Sequence, residues 1–217
     1  VSRGWIFDLD GTLVDSLPGI AASLNAALAS LGQDTYEPAQ VRTFIGDGAE
    51  MLVRRALKNT DEHTFAAVLQ KFREHYAAHW QDGTEPYAGI QELLEKLRAS
   101  GDCLAVLSNK PHPFTTNIVK ALFPNTFGWV VGQRPGIPHK PDPTGLWEIL
   151  HAPSWSAKNA VLIGDSVMDL QTAQAAGIES IAVTWGYHDH NVLLDAKPTH
   201  LIEDVSELCD LLFVPTP

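Results

Sequence analysis

The chain is built from short apolar runs, each stopping at a polar residue. Gly4-Trp5-Ile6-Phe7 ends at Asp8 and Leu104-Ala105-Val106-Leu107 at Ser108. Ala160-Val161-Leu162-Ile163-Gly164 ends at Asp165, and Ile181-Ala182-Val183 at Thr184. None alternates apolar with polar, the pattern of parallel strands whose two faces are both covered by helices. Gly128-Trp129-Val130-Val131 is a fifth candidate. Helical periodicity occupies Gly89 to Ser100, Pro113 to Leu122, Thr144 to His151, Ser166 to Ala176 and Val205 to Leu212. Strand–helix alternation of this kind predicts an α/β fold with a Rossmann-like, doubly wound parallel sheet.

One stretch breaks the alternation. From Asp15 to about Glu85 the sequence offers only helical patterns: Leu17 to Leu31, Pro38 to Phe44, Ala49 to Leu57 and Glu62 to Trp80, with Gly32 and Gly46 as stops. The expectation is an all-helical domain, residues 15–85, inserted into an α/β core of residues 1–14 and 86–217. The tail Val214-Pro215-Thr216-Pro217 is expected to fray.

Composition narrows the partners. Of the 217 residues 45% are hydrophobic and 19% charged, enough apolar surface for a core. A formal net charge of −11 disfavours nucleic acid and anionic membranes, leaving a small ligand as the expected partner. A phosphorylated ligand is repelled as well, so a phosphate site must gather positive charge locally. Cys103 and Cys209 form no CxxC pair and read as buried thiols in a reducing, cytoplasmic setting. Val1 to Trp5 carries no secretory apolar stretch, and no apolar segment approaches the ~18 residues of a membrane span. The expectation is a soluble protein, monomer or homodimer.

In open α/β sheets ligands sit beyond the carboxyl ends of the strands. Asp8, Asp10, Ser108, Asn109, Lys110, Asp165 and Asp169 therefore fall to one shared site. Asp8 and Asp10 project to the same side of an extended segment, a spacing that suits a hard cation facing one substrate. Gly11 permits a tight turn and a backbone N–H close to an anion. In Gly164-Asp165-Ser166-Val167-Met168-Asp169, Asp165 suits a helix cap and Asp169 lies one turn on. With Asp8 and Asp10 at neighbouring strand ends, these carboxylates make a magnesium site, since Mg²⁺ prefers a few carboxylates plus waters and a phosphate oxygen. Lys140, in a loop stiffened by Pro141 and Pro143, can offset repulsion between Asp8 and a phosphate dianion. Ser108 and Asn109 can donate to phosphate oxygens.

These segments, in this order, resemble the four motifs of the haloacid dehalogenase superfamily: Asp8-Leu9-Asp10-Gly11-Thr12, Leu107-Ser108-Asn109-Lys110, Lys140-Pro141-Asp142-Pro143 and Gly164 to Asp169. The helical insertion resembles that superfamily's C1-type cap over a HAD-like core. Val41 to Gly48, then Arg55-Ala56-Leu57, and Val183-Thr184-Trp185-Gly186-Tyr187 are similar to bacterial phosphoglycolate phosphatases.

The resemblance implies a phosphatase with Asp8 as nucleophile and Asp10 as general acid, then base. It implies Mg²⁺ held by Asp8, the Asp10 carbonyl and Asp165, with Asp169 in support. Ser108 and Lys140 would bind the transferring phosphoryl group, with Gly11, Thr12 and Asn109 around it. In the cap, Gly46-Asp47-Gly48 would face the core, and Arg42, Arg54 or Arg55 would meet a substrate carboxylate. 2-Phosphoglycolate is the substrate the resemblance favours. Dehalogenases generally lack the second acid, which Asp10 supplies here. A phosphomutase of the β-phosphoglucomutase type and a catalytically silent phosphate-binding protein remain as alternatives. His75 with His79, and His188 with His190, lack the Glu or Cys company of a zinc site; they read as a helix face and a polar loop.

Overall fold

The computed structural model describes residues 2–58, 61–153, 155 and 159–213. The tail expected to fray lies outside them. The strands are β1 (Arg3–Phe7), β2 (Val14–Asp15), β3 (Glu85–Pro86), β4 (Cys103–Pro111), β5 (Trp129–Gln133), β6 (Asn159–Gly164), β7 (Glu179–Val183) and β8 (His200–Ile202). The helices are α1 (Leu17–Ser30), α2 (Pro38–Arg42), α3 (Gly48–Leu57), α4 (Glu62–His79), α5 (Ile90–Ala99), α6 (His112–Leu122), α7 (Thr144–Leu150), α8 (Val167–Ala176), α9 (His190–Asp195) and α10 (Val205–Phe213).

Six strands form one parallel sheet in the order β5-β4-β1-β6-β7-β8. The chain leaves β1 toward β4 and β5 and then returns to its other side through β6, so the strand order reverses at β1. That reversal opens a crevice at the strands' carboxyl ends. The non-alternating runs now have their reason. Trp5, Phe7, Leu104, Val106, Val161 and Ile163 are buried in one core cluster, while Ile6, Ala105, Leu107 and Leu162 are buried in another. Both faces of the sheet are packed, so successive side chains must all be apolar. Helix α5 shows the complementary rule: Ile90, Leu93, Leu94 and Leu97 are buried at helical spacing, each contributing roughly 1.5–3 kcal/mol.

Two features depart from the sequence reading. Strand β4 does not stop at Ser108 but runs through Ser108-Asn109-Lys110 to Pro111, with its register against β5 shifting between Leu107 and Pro111. Gly132 of β5 accommodates the shift, because a Cβ there would come 2.5 Å from Thr115 Oγ1 and 2.8 Å from the Lys110 carbonyl oxygen. Second, the chain leaves and rejoins the core through a two-stranded antiparallel ribbon, Val14 opposite Pro86 and Asp15 opposite Glu85. Two-residue strands carry no periodicity for a sequence reading to detect.

Between the ribbon strands lie α1 to α4. Leu24 and Leu28 of α1 and Phe65, Val68 and Phe72 of α4 are buried together, in a cluster continuous with the sheet's. Cys103 and Cys209 are half-buried rather than buried, and no disulfide joins them. Among the described residues no helix is long and apolar enough to cross a membrane.

Candidate active site

Asp8 follows the last residue of β1, Asp165 follows β6, and Asp169 lies one turn into α8. Their carboxylates offer oxygens all within 4.8 Å of one another, and all are buried. Gly11 makes this convergence possible: at φ +82° it turns the chain, and a Cβ there would lie 2.3 Å from the Asp165 carboxylate.

Each carboxylate is held differently. Asp8 Oδ1 accepts from the Leu9 N–H at 2.7 Å and pairs with Lys140 Nζ at 2.9 Å. Asp165 accepts from the Thr12 hydroxyl at 3.1 Å and the Tyr187 N–H at 2.7 Å. Asp169 pairs with Lys140 through one oxygen at 2.6 Å and accepts from the Ser166 N–H and hydroxyl through the other. Lys140 also donates to the Leu107 carbonyl at 3.1 Å, so an ammonium with three hydrogens has three partners and one orientation. The cap of α8 is Ser166, not Asp165 as expected; Ser166 and Asp169 form a reciprocal capping box that leaves Asp165 turned to the site.

The electrostatics suit a cation. Burial, with Lys140 opposing and Asp169 assisting, pushes Asp8 up to about 7. Burial, then the charges of Asp8 and Asp169, push Asp165 up to about 8. Burial works against the Lys140 charge, but Asp169 and Asp8 outweigh it and hold its pKa above the usual lysine range. Carboxylates reluctant to ionise together are what a divalent ion relieves, and the all-oxygen donor set fits Mg²⁺.

Asp10 stands apart from this cluster. Its carboxylate pairs with Lys110 Nζ at 2.9 and 3.0 Å and accepts from the Ser16 hydroxyl at 2.5 Å. The Ser16 hydroxyl is in turn 3.2 Å from the Tyr187 hydroxyl. Ser108 is buried in the same crevice, its hydroxyl accepting from the Lys110 N–H at 3.2 Å.

The cap-side expectations fare differently. Gly46 and Gly48 line the crevice, and the Gly46 carbonyl accepts from Asn109 Nδ2 at 3.0 Å. Asn109 also donates to the Lys140 carbonyl and accepts from its N–H at 2.8 Å. Its amide thus ties Gly46, in the α1–α4 segment, to the Lys140 loop, with both amide hydrogens engaged by carbonyls. Arg55 is not among the residues lining the crevice: its guanidinium holds the Phe44 carbonyl at 2.9 Å and the Asp47 carboxylate, bracing the loop before α3. Arg54 pairs with Glu62, and Arg42 donates to the Tyr187 carbonyl and pairs with Asp189. Each of the three guanidinium groups thus has an acidic partner within the chain.

A model of haloacid dehalogenase-like hydrolases matches residues 5–183. The chain belongs to that family. Among curated relatives, the phosphoglycolate phosphatase of Pseudomonas syringae pv. tomato is 34% identical over 210 residues, covering 94% of this chain and 77% of its own. That of Pectobacterium atrosepticum is 33% identical over 215 residues, covering 97% and 92%. A haloacid dehalogenase-like family hydrolase from Streptococcus pneumoniae superposes with a TM-score of 0.87 at 25% identity, covering 97% of this chain and 98% of its own. The chain is thus a hydrolase of the family in sequence as well as in fold.

Beyond the site residues expected from the sequence, the crevice is lined by Tyr76, Tyr187 and His188. The last two fall within or beside the Val183–Tyr187 segment, but their approach to Asp165 and Gly46 depends on a loop no local pattern specifies. Burial holds the His188 imidazole below its usual value. Lys110 was legible as a strand-end residue, though not as the partner of Asp10. His75 and His79 do form a helix face, their rings stacked at 4.2 Å.

Proposed function

We propose that this protein is a magnesium-dependent phosphatase that cleaves a small phosphate monoester through an aspartyl phosphate on Asp8. Residues 15–85 act as the cap over a core of residues 1–14 and 86–217. The observation that carries the reading is the pairing of Asp8 with Lys140, 2.9 Å apart at the meeting point of the buried carboxylates. A nucleophile beside a fixed ammonium and a cation site is what phosphoryl transfer chiefly needs, since that reaction is governed by positioning and charge neutralisation.

Asp8 attacks phosphorus in line and the ester's alkoxide departs. Asp10, two residues on, gives the departing oxygen a proton and then removes one from the water that hydrolyses the aspartyl phosphate. Lys140 and Ser108 hold the oxygens of the moving phosphoryl group, with the turn at Gly11 and Thr12 beside them. The carboxylates of Asp8 and Asp165 and the carbonyl of Asp10 would hold Mg²⁺, which would supply the positive charge that lets an anionic nucleophile meet an anionic ester. Asp169, occupied with Lys140 and Ser166, supports the site from behind. The names of the curated relatives support 2-phosphoglycolate as the first ester to test.

The test is phosphate release from 2-phosphoglycolate, sugar phosphates, nucleotides and pyrophosphate, with and without Mg²⁺, in the wild type and in Asp8→Asn. Magnesium-dependent release that disappears in Asp8→Asn is the expected result. Release that survives in Asp8→Asn would remove the aspartyl phosphate from the reaction, and no release from any ester would remove the phosphatase.

A further inference from the structure

The crevice between cap and core has a wall that the steps above leave unused. Ile20, Ile45, Leu52, Phe72 and Phe114 make that wall apolar. Two polar atoms interrupt it, the Tyr76 hydroxyl and His188 Nδ1, and both are buried without a hydrogen-bond partner. Tyr76 is only 2% exposed. Its ring stacks on Phe72 at 5.7 Å and meets Phe114 edge-on at 5.3 Å, contacts that fix the ring in the wall. It lies near Lys110 and Thr84 without closing a hydrogen bond to either.

Buried polar groups in folded proteins almost always have partners, so two orphans in one crevice point to a ligand that supplies them. Charge is not what this wall offers. Arg42, Arg54 and Arg55 are committed to Asp189, Glu62 and Asp47. Among the described lining residues the cation is Lys110, and it is committed to Asp10.

We infer that this wall is the leaving-group subsite, and that Tyr76 and His188 read oxygen atoms of the leaving alcohol by hydrogen bonding rather than by charge. The inference rests on the phosphatase reading. The substrate class is a phosphate ester of a short alcohol carrying at least one further oxygen, hydroxyl and carboxylate being accepted alike. Tyr76 is placed on the side of Asp10, where the alcohol departs: its ring lies under the Lys110 ammonium, 4.7 Å away, and that ammonium grips Asp10.

The experiment compares kcat/KM for 2-phosphoglycolate, 2-hydroxyethyl phosphate and ethyl phosphate in the wild type, Tyr76→Phe and His188→Ala, with p-nitrophenyl phosphate as a further ester. The two oxygenated esters are expected within about tenfold of each other and each about tenfold or more above ethyl phosphate, the discrimination that one or two hydrogen bonds supply. Each variant is expected to lower kcat/KM for the oxygenated esters about tenfold more than for ethyl phosphate. Tyr76→Phe keeps the ring and its packing, and the wild-type ranking tests the inference even if a variant fails to fold. A preference of more than tenfold for 2-phosphoglycolate over 2-hydroxyethyl phosphate overturns it, as does an equal fall on all three esters. Turnover of p-nitrophenyl phosphate alone overturns the inference and spares the phosphatase; no turnover of any ester overturns both.

Discussion

The Lys110 ammonium grips both oxygens of Asp10, at 2.9 and 3.0 Å, with the lysine side chain 6% and the aspartate side chain 13% exposed. Burial disfavours the Lys110 charge, but the Asp10 carboxylate outweighs it and raises its pKa above the usual lysine range. The carboxylate assigned to proton transfer is therefore not a loose acid but one clamped from two sides, by Lys110 and by the Ser16 hydroxyl.

Removing one member of a buried pair strands the other. Lys110→Met is expected to cost about 3–5 kcal/mol of stability, while Lys110→Met combined with Asp10→Asn costs less than the sum of the single changes. Urea denaturation of the three variants measures this coupling. Because Asp10 also loses its orientation, kcat of Lys110→Met is expected to fall about 100-fold. Additive stability losses would show that the ion pair contributes nothing beyond its two side chains.

How much of this was legible in the sequence follows from range. The sheet was legible because burial on both faces forces whole runs such as Trp5-Ile6-Phe7 to be apolar, a local signal. Asp8, Asp165 and Lys140 were legible because strand ends and a proline-stiffened loop mark places where a polar residue faces a crevice. The ion pair of Lys110 with Asp10 was not, because 100 residues separate them and Lys110 lies in the part of β4 that runs on past the apolar run. The cap arginines show the same limit: an arginine on a helix looks available until partners such as Asp47 and Asp189 are seen in space.

At the carboxylate cluster a divalent metal would compete with protons. Burial and neighbouring carboxylates push Asp8 up to about 7 and Asp165 up to about 8, against roughly 3.9 for a free aspartate. The folded chain thus holds protons that the unfolded chain has released, so this contribution to stability is present in acid and fades as pH rises toward 8. The metal-free protein is expected to lose thermal stability between pH 6 and pH 8.5. Mg²⁺ should raise Tm more at pH 8.5 than at pH 6, because a cation replaces the protons. Thermal melts with EDTA and with Mg²⁺ at both pH values decide it; an equal Mg²⁺ shift at each would contradict the assignment.

Asn109 ties three chain segments with one side chain. It accepts from the Lys140 N–H and donates to the Lys140 and Gly46 carbonyls. Asn109→Ala leaves the buried Lys140 N–H without that partner, at an expected cost of about 1–3 kcal/mol. Since Gly46 lies in the α1–α4 segment proposed as the cap and Lys140 precedes α7, the same change is expected to raise KM and lower kcat together. Steady-state kinetics alongside a denaturation curve separate the two effects. Asn109→Asp, which keeps the acceptor and loses the donors, is expected to retain the bond from the Lys140 N–H and lose the two to the Gly46 and Lys140 carbonyls.

Ser166 and Asp169 divide a structural task from a chemical one. Ser166 caps α8 through the Asp169 N–H, while Asp169 returns bonds to Ser166 and spends its other oxygen on Lys140 at 2.6 Å. Ser166→Ala removes the cap but leaves Asp169 on Lys140, so a loss of about 1 kcal/mol with less than a tenfold fall in kcat is expected. Asp169→Asn keeps hydrogen bonding to Ser166 but takes away the negative charge opposite Lys140. The ammonium then falls to Asp8 alone, drawing the nucleophile into a tighter pair and weakening its hold on a cation. A fall in kcat of about 100-fold at saturating Mg²⁺, with stability changed less than in Lys110→Met, is the expected outcome. Melting curves and kcat for the pair of variants test the division: if Ser166→Ala loses as much activity as Asp169→Asn, the capping box rather than the Lys140 contact is what the chemistry depends on.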